Sequence, residues 1–148
     1  MHRYNIRVYG ILIEHDSLLV TDEIRLGMRM TKLPGGGLEK GEGLAKCLQR
    51  EWEEELSTKI VVGPVVYINP FLQVSAFNTQ EEVLAVYFEI LSHSGLQGEF
   101  RSKAQDFDSD QNNQQVFRWI PLKDLTARDF TFPIDQSLVP VLLEKYLR

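Results

Sequence analysis

Glu51, Glu53, Glu54 and Glu55 put four carboxylates into five positions, and Arg50 stands directly before them. On a helical wheel at about 100° per residue, with Leu44 at zero, Glu54, Glu51 and Glu55 fall at about 280°, 340° and 20° and form one stripe. Glu53 falls near 180°, where a glutamate faces solvent and has no special role. The apolar residues Leu44, Ala45, Leu48, Trp52 and Leu56 span about 0° to 120°, so the stripe runs along one edge of the buried face. Like charges three and four residues apart cost a few tenths of a kcal/mol on an exposed helix, and more where water is partly excluded. A bound divalent cation reverses that sign. Carboxylates without nearby histidine or cysteine ligands are hard oxygen donors that suit Mg²⁺ or Mn²⁺ and argue against zinc. A solvated acidic face with pairs such as Glu55–Lys59 accounts for the same run, which by itself leaves both readings open.

The elements around the stripe add to it. The segment LPGGGLEKGEG places Gly35, Gly36 and Gly37 before the helix, where the backbone can turn sharply and offer carbonyls or amides to a ligand. Pro34 disfavours helix at Leu33, so the helix begins after the glycines, and its amino terminus favours an anion such as phosphate. No GK[ST] follows, which excludes a P-loop. Upstream, residues 4–14 and SLLVT read as a hairpin around HDS. Residues 60–77 and 83–91 read as strands interrupted by Gly63, Pro64 and Pro70, and VFRWIPL at 116–122 as a further strand. LKDLTARDF predicts a short helix. IDQSLVPVLLEKYLR has helical spacing, with Pro140 in its first turn or at a kink. The polar stretch 92–115 exceeds the usual loop length of about 12–15 residues, which marks it as functional or disordered unless a strand near Gly98–Arg101 divides it.

The chain has 148 residues, 43% of them hydrophobic and 25% charged, which fits a single domain over 1–148 with a core of its own. Strands and helices mix without a regular βαβ repeat, so the class is α/β in the wider sense, α+β or a mixed-sheet sandwich. A net charge of −5 gives no support to broad nucleic-acid or anionic-membrane binding. No apolar run of about 18 residues occurs, the first residues carry no long apolar segment, and the one cysteine, Cys47, excludes an internal disulfide. These features predict a soluble cytoplasmic protein.

Glycine, five residues, glutamate, seven residues, then Arg-Glu-x-x-Glu-Glu is the register kept by Gly36, Glu42, Arg50, Glu51, Glu54 and Glu55. It resembles the Nudix box. The box covers about a sixth of the chain; the order of flanking strands and the FRWIPLKDL segment resemble the family more weakly. The resemblance implies a mixed β-sheet sandwiched between helices and Mg²⁺- or Mn²⁺-dependent hydrolysis of a nucleoside diphosphate linked to another moiety. It implies that Glu51, Glu54, Glu55 and the carbonyl of Gly36 ligate metal. Glu51, Glu54 and Arg50 would be catalytic, with Arg50 orienting the carboxylates and Glu42 supporting it. Nucleoside triphosphates, ADP-ribose, nucleotide sugars and dinucleoside polyphosphates all stay open as the small-molecule substrate. The family often pairs as homodimers, which composition leaves undecided. A Nudix-fold sensor that binds a nucleotide metabolite without turnover is the alternative, and retention of the three glutamates favours the enzyme.

Three positions depart from the family pattern. Trp52 replaces a small aliphatic residue, Ser57 stands where the family has glycine, and Thr58 stands where it has an aliphatic. Glycine permits a left-handed cap that serine adopts at a cost of roughly 1 kcal/mol, so the helix is expected to end one turn differently through an exposed Ser57-Thr58-Lys59.

Outside the box, Arg25 and Arg29 are candidate phosphate clamps. Glu81, Glu82, Glu99, Asp106, Asp108 and Asp110 are candidate proton acceptors, though each singly reads more readily as a solvated loop carboxylate. Tyr67, Phe71, Phe77 and Phe132 are candidate base-stacking residues, though aromatics on strands are usually core. Cys47 reads as an inert small side chain, and His2, His15 and His93 form no ligand pattern.

Overall fold

The computed structural model describes residues 2–148. In chain order its elements are strands β1 (Arg3–Ile11), β2 (Ile13–Glu14), β3 (Ser17–Arg25), β4 (Met28–Lys32) and β5 (Gly35–Gly37), helix α1 (Leu44–Leu56), strands β6 (Ile60–Ile68), β7 (Glu81–His93) and β8 (Gln114–Pro121), and helix α2 (Pro133–Tyr146). They form two compact units: one ends at Ile11 and resumes from Gly35 to Leu96, and the other comprises Leu12–Pro34 and Gln97–Arg148. The architecture is α+β, with a mixed sheet in the first unit, an antiparallel sheet in the second, and one helix in each.

In the first unit the strand order is β5-β1-β7-β6. β1 runs parallel to β7 and antiparallel to the short glycine strand, with Arg7 opposite Gly37, Val8 opposite Gly36 and Tyr9 opposite Gly35. The glycines, which read as a turn in the sequence, are therefore an edge strand. Leu38 N–H donates to the Ile6 carbonyl at 2.8 Å. The alternation of an antiparallel ladder then directs the Gly36 carbonyl to the Val8 amide and turns the carbonyls of Gly35 and Gly37 away from β1. Gly35 has φ +155, and a Cβ there would run into Val8 and Tyr9, so this position accepts only glycine.

Helix α1 buries Cys47, Leu48, Trp52 and Leu56. Ala45, expected on this face, is exposed and Cys47 takes its place, because the helix is rolled toward the carboxylate edge. The Trp52 indole is fully buried over Gly10, where an added Cβ would stand 2.7 Å from the ring. The absence of a side chain at position 10 is what makes room for a tryptophan where the family has a small residue.

The helix does not end differently at Ser57. That residue takes the left-handed conformation, φ 49 and ψ 41, and donates its N–H to the Glu53 carbonyl at 3.1 Å. Thr58, expected to be exposed, is buried, with Oγ1 3.4 Å from Ser94 Oγ. Burial of Thr58 fixes the turn and imposes the glycine-like geometry on serine. The strand expected over 60–77 stops at Ile68, since the buried Asn69 side chain takes over the ladder bonds. Its amide donates to the carbonyls of Phe71 and Val83, both at 3.1 Å, and its oxygen accepts from Ala85 N–H at 2.7 Å.

In the second unit β3 is paired antiparallel with β2, β4 and β8. The β2–β3 hairpin turns at His15 and Asp16, as the HDS signal suggested, and both have positive φ. LKDLTARDF forms two single 3₁₀ turns, Leu122–Asp124 and Ala127–Asp129, instead of one short helix. Pro133 occupies the first turn of α2, and Pro140 sits well inside the helix, where it removes one backbone hydrogen bond.

The polar stretch in this unit is an ordered loop. Phe100 makes a single parallel bridge to Phe117, which is all that forms of the strand suggested near Gly98–Arg101. Gln105, with φ 54, reaches into the polar knot around the fully buried Asp22. Arg118 forks onto the Asp22 carboxylate at 2.7 and 3.2 Å, and Thr31 Oγ1 donates to it at 2.6 Å. Gln105 donates its backbone N–H to Asp22 Oδ2 at 3.1 Å, and its side-chain amide to the Met30 carbonyl at 3.0 Å. An unpaired charge at this depth costs several kcal/mol, and the fork and the added donors are what make Asp22 tolerable there.

Candidate active site

The box residues all lie in the first unit, on β5, on the turn after it and on α1. Arg50 is at their centre. Its Nε donates to Glu42 Oε2 at 3.0 Å and its Nη2 to Glu42 Oε1 at 2.7 Å, a bidentate fork. Nη1 reaches Glu51 Oε1 at 2.9 Å and both oxygens of Glu54 at 3.4 Å. Nη2 also donates to the Gly37 carbonyl at 3.1 Å, which ties the helix to the edge strand. Glu42 is fixed from its own side by the Glu39 N–H at 2.9 Å.

The electrostatics follow the contacts. The Arg50 guanidinium, and after it the Glu39 amide, hold the Glu42 carboxyl down from 4.5 to about 2. Glu42 in turn pushes Arg50 above its ordinary value. Burial foremost, and then the neighbouring Glu42 carboxylate, pushes the Cys47 thiol up to about 12, so it stays protonated and is no thiolate ligand.

Glu51 is seated on Gly36. A Cβ built on Gly36 would fall onto the Glu51 carboxylate, within 2.5 Å of Oε2, so the glycine is a cradle for that group. The side chains are graded in exposure: Glu51 is 16% exposed and Glu54 57%, while one oxygen of Glu55 is fully buried. Glu53 is exposed, as the wheel placed it. Among the described residues no three acidic, histidine or cysteine side chains converge into a ready-made metal cluster; Glu51 and Glu54 are gathered instead by Arg50. The donor set still fits a hard cation, since it consists of carboxylates, one of them seated on Gly36, and the outward-facing carbonyl of Gly35 beside them.

The candidates outside the box divide between the units. Arg29 is ion-paired with Asp110 at 2.5 Å and lies over the Phe107 ring at 5.3 Å, and Arg25 is an exposed strand end; both belong to the second unit. Glu81 holds Arg3 at 2.7 Å, and Arg101 lies between Glu99 and Asp108 at 3.0 and 3.4 Å. Glu82 begins β7, and Asp106 lies in the loop after Gln105. Phe71 and Phe77 are 39% and 38% exposed, whereas Tyr67 packs near Tyr87 at 6.0 Å. Sequence reasoning missed the Gly37 carbonyl and the Cys47 contact. The signal for the latter was present, because Cys47 lies three residues before Arg50 on the same helical face.

Comparison with known families gives a match to the NUDIX domain over residues 1–142, nearly the whole chain. The chain belongs to the Nudix hydrolase family. Comparison with curated protein sequences gives no match. Solved structures with the same fold include the MutT protein of Methanosarcina mazei Go1, at TM-score 0.69 and 18% identity over 99% of this chain and 98% of that one. The MutT Nudix hydrolase of Burkholderia pseudomallei matches at TM-score 0.66 and 18% identity, over 99% of this chain and 100% of that one. An ADP-ribose pyrophosphatase of Streptococcus suis matches at 0.56 and 16%, over 97% and 92%. Identities this low establish the shared Nudix fold. No helix among the described residues is long and apolar enough to cross a membrane.

Proposed function

We propose that this Nudix hydrolase cleaves a pyrophosphate linkage in a nucleoside diphosphate joined to another moiety, by water attack at phosphorus, in a reaction supported by Mg²⁺ or Mn²⁺. The observation that carries this reading is the Glu42–Arg50–Glu51 relay seated on Gly36, in which a cationic fork presents two further carboxylates, Glu51 and Glu54. The Gly36 carbonyl, expected from the sequence as a ligand, faces the Val8 amide across the ladder, and that of Gly37 is taken by Arg50. Glu51, Glu54, Glu55 and the outward-facing carbonyl of Gly35 would hold the cation. Bound there, it would neutralise diphosphate charge and lower the pKa of a ligated water. The chain's own residues do the rest. Arg50 orients Glu51 and Glu54, Glu42 fixes Arg50, and the exposed Glu54 is placed to accept a proton from water.

The family match over 1–142 supports one functional domain across the chain. Names such as MutT and ADP-ribose pyrophosphatase among the structural relatives keep nucleoside triphosphates and ADP-ribose first among the substrates to try, ahead of nucleotide sugars and dinucleoside polyphosphates. The test is a metal-supplemented screen of these four classes with products identified by mass, repeated with Glu51→Gln. Metal-dependent cleavage by the wild type that is lost in the variant establishes the reading, and unchanged turnover in Glu51→Gln overturns it.

A further inference from the structure

The box explains Glu42, Arg50 and the glutamates, and leaves Cys47 as a buried nucleophile with no role. Its surroundings are specific. Its S–H donates to the Gly37 carbonyl at 3.5 Å, and Sγ accepts from Arg50 Nη2 at 3.7 Å. It thus touches the arginine of the ion pair and the backbone carbonyl that braces it, at a position with no solvent exposure.

The geometry defines what the thiol limits. The Arg50 fork is fixed on its Glu42 edge by two hydrogen bonds, leaving rotation about that edge as the soft motion of the guanidinium. Such a rotation swings Nη1 away from Glu51, 2.9 Å distant. The Gly37 carbonyl and the Cys47 sulfur lie beside Nη2, and both restrict it. Sulfur fills this space with a polarisable body and a weak donor, which a methyl group supplies only in part.

We propose that Cys47 is a positioning residue for the hydrolytic site: wedged between Gly37 and Arg50, its thiol fixes the guanidinium plane so that Nη1 addresses Glu51. The inference rests on the pyrophosphohydrolase reading above. It concerns Arg50's orientation and nothing that Cys47 does to substrate.

The test compares Cys47→Ala and Cys47→Ser with the wild type on whichever substrate the screen identifies, with Glu51→Gln run in parallel. Cys47→Ala is expected to lower kcat about three- to tenfold with KM unchanged, the scale of one lost weak contact. Cys47→Ser, which keeps a small donor, restores most of it. A second readout needs no turnover: in metal-free protein the Arg50 Nη1 proton signals exchange faster with solvent in Cys47→Ala than in the wild type or Cys47→Ser. A wild-type kcat and exchange rate in Cys47→Ala overturns the proposal, as does a loss in both variants that merely follows their melting temperatures. If Cys47→Ala does not fold, Cys47→Ser against wild type decides through the same exchange rate, and a rate well above wild type counts against the proposal. Turnover that survives Glu51→Gln overturns the functional reading instead, so the two failures are distinct.

Discussion

Substituting Gly36 by alanine separates activity from stability at one position. The three atoms nearest an added Cβ all belong to the carboxylate of Glu51, the far end of a flexible side chain. Ordinary contact begins near 3.4 Å and the built Cβ lies within 2.5 Å of Oε2, so the carboxylate has to retreat by about 1 Å. Folding is little affected, because Gly36 has no positive φ and alanine there restricts the unfolded chain, a gain of about 0.4–1 kcal/mol that offsets the displaced contact. A displacement of about 1 Å in a catalytic constellation costs on the order of 100-fold in rate. Gly37→Ala is the control, since its Cβ would sit 3.5 Å from Arg7 Nη1, an ordinary contact. The assay pairs thermal melting with steady-state kinetics for both variants. Gly36→Ala is expected to melt within a few degrees of wild type with kcat down about 100-fold, while Gly37→Ala keeps both. Wild-type kcat in Gly36→Ala would refute the claim that Glu51 must occupy this seat, and unfolding of Gly36→Ala would refute the claim that its displacement is cheap.

Three further outcomes follow from the same structure. Gly10→Ala drives a methyl into the Trp52 ring and Ile90, and overpacking of this kind costs about 1–3 kcal/mol, read as a fall in Tm of roughly 2–12 °C. Ser57→Gly relieves the left-handed serine and is expected to raise stability by about 0.5–1 kcal/mol in denaturant titration, with no change in activity. The depressed pKa of Glu42 makes its pairing with Arg50 stabilising above the unfolded value of 4.5, and this stabilisation is lost as pH falls toward about 2. The stability difference between wild type and Glu42→Gln should therefore be constant near neutrality and close between those two pH values; a difference independent of pH rules out the ion pair as its source.

The site was more legible in the sequence than the framework that carries it. Spacing alone separated Glu53 from Glu51, Glu54 and Glu55, because charge on a regular helix reports directly on direction. The contact of Glu42 with Arg50 came from the family register, since no periodicity links a turn to a helix eight residues on. The glycine run misled: three residues without side chains carry no strand signal, and only the register with Arg7–Tyr9 makes them an edge strand. Ser57 misled in the opposite direction, as its intrinsic preference was outweighed by the burial of Thr58 beside it. Gln105 gave no warning at all, because a lone glutamine in a polar stretch looks the same whether it faces water or caps a buried aspartate.

Gln105 also changes what the long polar stretch is in polymer terms. Backbone bonds from Arg101 to Phe117 and from Asn113 to Ile24, with Gln105 on Asp22 between them, stitch it at three points. Each span between stitches is shorter than the roughly 12–15 residues at which a loop becomes exceptional, and closure entropy is divided among short segments. An exposed residue between the stitches such as Asp106 can change at little thermodynamic cost, while Gln105 cannot. A stretch that looks like the most variable part of the chain thus contains one of its least replaceable residues.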